Sequence, residues 1–96
     1  NYDFLVTPTV ATTAFDVGQL SPRDADGKAW MAWTPFTSPF NLTQQPAASV
    51  PCGFASDGLP VGLQIVGRMF DDTGVLAASY AYEQTDPHYE KVPPGF

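Results

Sequence analysis

Residues 36–67 read FTSPFNLTQQPAASVPCGFASDGLPVGLQIVG, and this stretch decides the fold. Two apolar runs, Ala47–Phe54 and Val61–Val66, flank the turn-rich link Ala55-Ser56-Asp57-Gly58-Leu59-Pro60. Val50, Val61, Ile65 and Val66 favour extended backbone, and Asp57-Gly58 offers turn chemistry with positive φ available at Gly58. Neither run carries a charge, so both faces of each are expected to be covered, as inside a sheet. The link is longer than the tightest hairpin turns, yet an antiparallel pair remains the simplest connection.

On either side of this pair the sequence reads as helix. Thr37-Ser38-Pro39 offers a hydroxyl at a cap and a proline in the first turn, where its missing N–H does no harm. The spacing predicts a short helix over 37–45, packed through Phe36, Phe40 and Leu42 and stopped before Pro46, which disfavours helix at the preceding residue. After the second strand, taken as 61–67, Asp71 or Asp72 is placed to cap a helix over 72–84, with negative charge at its positive end. Val75, Ala78, Ser79 and Tyr82 follow i, i+3, i+4, i+7 along that helix. This narrow stripe has small residues in its middle, which permits close approach to a sheet.

Farther out, Phe4-Leu5-Val6 within residues 3–7 reads as a buried strand closed by Thr7-Pro8-Thr9, since Pro8 cannot donate to a ladder. Residues 10–35 keep no period and are expected to form a long loop. Such loops often wall a pocket. Trp30 and Trp33 fall at its end, where large aromatics either line a cleft or anchor a loop to the core. Asp24-x-Asp26-Gly27 resembles a calcium loop, but with Gly27 sixth the end positions are Pro22 and Trp33, which supply no ligands. Asn41-Leu42-Thr43 matches a glycosylation acceptor, although its helical setting favours a structural asparagine. The segment 85–96, with Pro87, Pro93-Pro94 and the only histidine, His88, reads as a surface tail.

With 96 residues the chain allows one small domain. Its net charge of −6, with four Lys and Arg, argues against a nucleic-acid surface, which needs clustered cations. No apolar run is long enough to span a bilayer, and no signal peptide opens the chain. The first residues already read as strand with no initiator Met, which suggests a chain entered in its middle. The lone Cys52 excludes an internal disulfide framework and gives no metal spacing. A reducing, cytoplasmic setting is the default expectation.

Complete catalytic chemistry does not emerge from these residues alone. Cys52 lies in an apolar strand, where a thiol behaves as a small inert hydrophobe. His88 is the sole imidazole, and it would have to be recruited from a mobile tail. Ser21, Ser38, Ser49, Ser56 and Ser79 each have a turn, cap, strand or packing explanation, and Lys28 and Lys91 lie in loop and tail. There is no phosphate-cradling loop and no metal-ligand cluster, so no cofactor and no metal are expected.

Phe-Thr-x-Pro-x-Asn-Leu-Thr from Phe36, Pro-Ala-x-Ser-Val-Pro-x-Gly from Pro46, and Gly-Leu-Pro-Val-Gly-Leu-Gln-Ile-Val-Gly from Gly58 together resemble the C-terminal end of the amidase signature family. Tyr2-Asp3-Phe4-Leu5-Val6-Thr7-Pro8-Thr9 is similar to that family's preceding strand. Gln44 departs from the pattern, because a small residue, usually Gly, often follows the Asn-Leu-Thr. The resemblance implies an α/β fold, a fragment of an α/β/α domain with a mixed sheet between helices. It also implies hydrolysis of an amide by a serine that a lysine activates through a bridging serine. Those three residues belong to motifs upstream of this stretch, so no catalytic residue is assigned and the upstream part of the same protein is an expected partner. Pairing of two copies is left open.

The resemblance also bears on substrate. In the family's tRNA amidotransferase A subunits an acidic residue precedes the Phe-Thr-x-Pro segment and can hold the α-ammonium of glutamine. Here the matching position is Thr34, between Trp33 and Pro35, with no carboxylate from Lys28 to Ser56. A neutral hydroxyl beside an indole cannot replace the hydration that an ammonium loses. The expected substrate is a small, neutral, partly apolar or aromatic amide bound near Trp33, Thr34 and Trp30. Two alternatives stand beside it: the glutamine-using component of a tRNA-dependent amidotransferase, and a purely structural fragment.

Overall fold

The computed structural model describes residues 2–30 and 32–93. Asn1, Met31 and residues 94–96, with the expected tail proline Pro94, lie outside the described residues. Five elements follow one another: β1 (Leu5–Pro8), α1 (Ser38–Thr43), β2 (Ala47–Phe54), β3 (Pro60–Val66) and α2 (Asp72–Thr85). The strands form a sheet of order β1-β3-β2 in which all neighbours are antiparallel. This is the expected α/β class, with the hairpin β2–β3 at its centre.

The hairpin turn follows from its residues. The Ala55 N–H donates to Leu59 O at 2.9 Å and the Gly58 N–H donates to Ala55 O at 2.9 Å. The Asp57 carboxylate accepts the Leu59 N–H at 3.1 Å, and Gly58 takes φ 83°, open to glycine at little cost. Register runs from Ala47 opposite Val66 to Phe54 opposite Pro60, with a shift between Pro51 and Gly53. That shift is a bulge at Cys52, and Gly53 accommodates it with φ 133°. Cys52 is consequently half-buried, its thiol directed at Val61 O at 3.5 Å, rather than sealed in the strand interior.

The core is small: Val50, Ile65, Val66 and Val75 are buried, and Gln64 and Ser79 are buried with them. In α2 the stripe Val75, Ala78, Ser79 and Tyr82 is the inward one, and the Asp71 side chain caps the helix by accepting the Gly74 N–H. Gly67 lies directly beneath Val75, so the helix approaches the end of β3 over a residue without a side chain.

Three expectations are corrected. β1 is not buried: Leu5 and Val6 are 52% and 54% exposed, because β1 is an edge strand that α2 does not cover. α1 ends at Thr43, before 45, because Gln44 adopts the left-handed conformation (φ 59°, ψ 27°) and turns its N–H back onto Phe40 O at 2.9 Å. Its start is not capped by a hydroxyl either. Thr37 and Ser38 donate their side chains backward to Thr34 O, at 3.5 and 3.0 Å.

Candidate functional site

The stretch that leads into α1 is pinned at three carbonyls. Trp33 O accepts the Ala11 N–H at 3.2 Å, which ties it to the chain just beyond β1. Thr34 O accepts the Ser38 N–H at 3.4 Å in addition to the two hydroxyls. Phe36 O accepts from Gln64 Nε2 at 2.7 Å. The Trp33 ring meets Phe15 edge to face, with centroids 5.2 Å apart and planes at 86°, a favourable aromatic geometry. Trp33 and Thr34 are therefore held together between the sheet and α1.

Trp30 belongs to a different local unit. Its N–H donates to Pro22 O at 2.8 Å, and Arg23 bridges Ala29. Between them Asp24 Oδ1 accepts the N–H groups of Asp26 and Lys28, at 3.0 and 2.9 Å. Residues 22–30 thus close on themselves through the Asp24 carboxylate, and Trp30, 36% exposed, sits at the exit of that turn. A hollow of about 220 Å³ lies beside this region, walled by residues 10–13 and 60–62. A carboxylate does reach the loop at its rim, since Asp57 Oδ2 accepts the Thr13 hydroxyl at 3.1 Å. Its other oxygen holds Leu59.

Gln64 is the residue that sequence reasoning passed over, although one polar side chain in an otherwise apolar run was a visible signal. It is 5% exposed, and its amide donates to Thr7 Oγ1 at 3.0 Å as well as to Phe36 O. Thr7 stands opposite it in the β1–β3 register and passes its own hydroxyl proton to Pro8 O at 2.8 Å. Ser49, opposite Gln64 in β2, bonds Thr9 Oγ1 at 2.7 Å. One face of the sheet therefore carries a polar row of Thr7, Gln64 and Ser49. A larger groove of about 390 Å³ is walled by Phe4, Leu5, Phe40, Val66 and Arg68.

The tail also differs from expectation. His88 is not a mobile tail residue: its side chain is 15% exposed and sits over Gly53, where an added Cβ would be 3.6 Å from its ring. Lys91 Nζ, which can only donate, lies 3.1 Å from His88 Nδ1, so His88 Nε2–H donates to Asp86 Oδ1 at 2.9 Å. Tyr82 reaches the same carboxylate at 3.4 Å. Burial, then the Asp86 carboxylate and the Cys52 side chain, push the Tyr82 phenol above its ordinary pKa.

The hydroxyls of Ser38, Ser49 and Ser79 are engaged with Thr34 O, Thr9 and Val75 O. Among the described residues no group of three His, Cys, Asp or Glu side chains could hold a metal, and no helix is long and apolar enough to cross a membrane.

A sheet of this order, flanked by α1 and α2, defines the kind of α/β frame that the motifs imply, and comparison with known proteins agrees. Residues 1–76 match the amidase family, and the chain belongs to it. It is 45% identical over 92 residues to the A subunit of the glutamyl-tRNA(Gln) amidotransferase of Oceanobacillus iheyensis, covering 96% of this chain and 18% of that protein. Among solved structures it superposes on a bacterial aryl acylamidase of the amidase signature family with a TM-score of 0.71 and 35% identity, over 90% of this chain and 19% of that one. It superposes on 6-aminohexanoate cyclic dimer hydrolase with a TM-score of 0.75 and 32% identity, over 97% and 21%. The chain thus spans about 18% of the length of the curated relative.

Proposed function

We propose that this chain is the C-terminal portion of a single amidase domain in a serine-dependent amide hydrolase, one that converts a carboxamide and water to a carboxylate and an amine or ammonia. The observation that carries the reading is the amidase family match over residues 1–76. The nucleophilic serine, bridging serine and lysine belong to the rest of the protein, which is this chain's obligate partner. Lysine, through the bridging serine, activates the nucleophile. Backbone N–H groups hold the oxyanion, and water completes hydrolysis of the acyl-enzyme. The engaged hydroxyls of Ser38, Ser49 and Ser79 suit scaffold duty, and the 96-residue chain alone turns over no amide. The protein works in the cytoplasm.

These residues contribute a wall to the substrate pocket. Trp33, Thr34 and Trp30 face a neutral amide with an apolar or aromatic group. Residues 28–56 contain no carboxylate, and Asp57 already accepts from Thr13 and Leu59, so no group is reserved for an ammonium. A second reading, the glutamine-using component of a tRNA-dependent amidotransferase, is favoured by the 45% identity to the relative so named.

The acyl-enzyme step is tested by trapping. Full-length protein quenched during turnover of an aryl ester should carry one acyl group on a serine outside residues 1–96, seen by peptide mass spectrometry. An adduct on Ser21, Ser38, Ser49, Ser56 or Ser79, or turnover by the isolated chain, would overturn the assignment.

A further inference from the structure

The polar row across the sheet carries an inference that rests on the substrate wall proposed above. A glutamine amide has two N–H bonds, and here both are spent: one on Thr7 Oγ1 and one on Phe36 O, at 3.0 and 2.7 Å. Thr7 cannot compete for the donor role, because its proton goes to Pro8 O. The chain of donors therefore runs one way, from Gln64 outward, and fixes the orientation of the amide. Gln64 stands on the central strand, paired with Thr7 on one side and Ser49 on the other, and it is 5% exposed. Its backbone is thus among the best-fixed points of the sheet. Phe36 O, by contrast, belongs to the irregular chain before α1, two residues after Thr34.

We infer that Gln64 is a positioning residue, which acts by holding Phe36 O and so setting where Trp33 and Thr34 stand against the substrate. The other two pins on this segment come from elements that are themselves irregular or short: Ala11 from the loop, Ser38 and Thr37 from the start of α1. The Gln64 bond is the pin that ties the wall to the central strand. Losing it leaves a carbonyl to find another donor, and the segment relaxes by a fraction of the distance to that donor. Displacements of this size matter when a group orients the reacting bond, because misplacement by about 1 Å can cost on the order of a hundredfold.

The test uses the full-length protein with two neutral amides, p-nitroacetanilide, whose ring reaches the wall, and acetamide, which has no such group. Gln64→Met keeps the side-chain volume and removes both donors. Gln64→Glu keeps the shape and an acceptor for Thr7 but cannot donate to Phe36 O. Each should raise KM for p-nitroacetanilide roughly tenfold with kcat nearly unchanged, the pattern of lost uniform binding, and should leave acetamide kinetics unaltered. Unaltered acetamide turnover also shows that the variant has folded, and two variants guard against one that has not. Equal losses on both amides would make Gln64 merely structural and overturn the inference. Trp33→Ala distinguishes failure of the wall from failure of the Gln64 role. If it moves the ratio between the amides and the folded Gln64 variants do not, the wall stands and the role of Gln64 falls. If Trp33→Ala leaves the ratio unchanged, the wall falls and the role of Gln64 with it.

Discussion

The close approach of α2 to the sheet can be tested at one atom pair. Gly67 is buried and not in the left-handed region, so alanine is open to its backbone and the consequence of Gly67→Ala is packing alone. The new Cβ would lie 2.6 Å from Val75 Cγ2, 3.6 Å from Asp71 O and 3.7 Å from Phe4 Cε1. Only the first is a clash, about 1 Å inside ordinary carbon–carbon contact. Relieving it means turning Val75 off its rotamer or lifting the first turn of α2, a cost of about 1–3 kcal/mol. Val75→Ala removes two buried carbons from a residue that is 3% exposed, for about 2–3 kcal/mol of lost transfer energy and cavity. In the double variant the alanine at 67 meets no Cγ2 and fills part of the space that Val75 vacates. The double variant should then be less destabilised than the sum of the singles, with a coupling of roughly 1–3 kcal/mol. Urea unfolding of the full-length protein, with amide exchange along α2 as the local monitor, measures all three. Additive effects, or a neutral Gly67→Ala, would refute the contact on which the helix–sheet packing is built.

Two further outcomes follow from the backbone and the one displaced titration. Gln44→Gly should stabilise, because a side chain in the left-handed region costs about 1–2 kcal/mol, offset by about 0.5–1 kcal/mol of glycine entropy in the unfolded chain; a urea midpoint that falls would mean that the Gln44 side chain is needed. Tyr82 holds its proton more tightly folded than unfolded. Its stabilising contribution is complete below the ordinary tyrosine value of about 10 and is lost as pH rises beyond it. Stability should therefore shift in favour of Tyr82→Phe, relative to wild type, between pH 9 and 11 (roughly one unit either side of that value), whereas parallel unfolding curves would refute it.

The hairpin was legible in the sequence because each local signal agreed. Charge-free runs, valine and isoleucine content, and Asp57-Gly58 all pointed to one pairing, and Gly58 adopts the conformation that the turn needs. The stripe on α2 was legible for the same reason. β1 misled, since Leu5 and Val6 are as apolar as any core strand, and exposure depends on what else packs against an edge rather than on the strand itself. The bulge at Cys52 left no trace in periodicity, because one extra residue shifts register without changing composition. The hydroxyls of Thr37 and Ser38 were read as caps from residue type, but Thr34 O competes for them one turn back. At the site, Trp33 and Thr34 were found through their motif context. Gln64 was missed because its importance lies in two partners, 57 and 28 residues away in the chain. His88 was missed for a similar reason, since its seat on Gly53 exists only after the tail folds back over the bulge.

Substrate charge is the direct test of the proposed activity. Full-length protein is assayed with glutamine and with p-nitroacetanilide under one set of conditions, and the two kcat/KM values are compared. With Thr34 where the amidotransferase A subunits carry an acidic residue, the neutral aryl amide should be preferred. A preference for glutamine by roughly a hundredfold, about 2.7 kcal/mol of transition-state binding, would contradict it and return the chain to the amidotransferase reading.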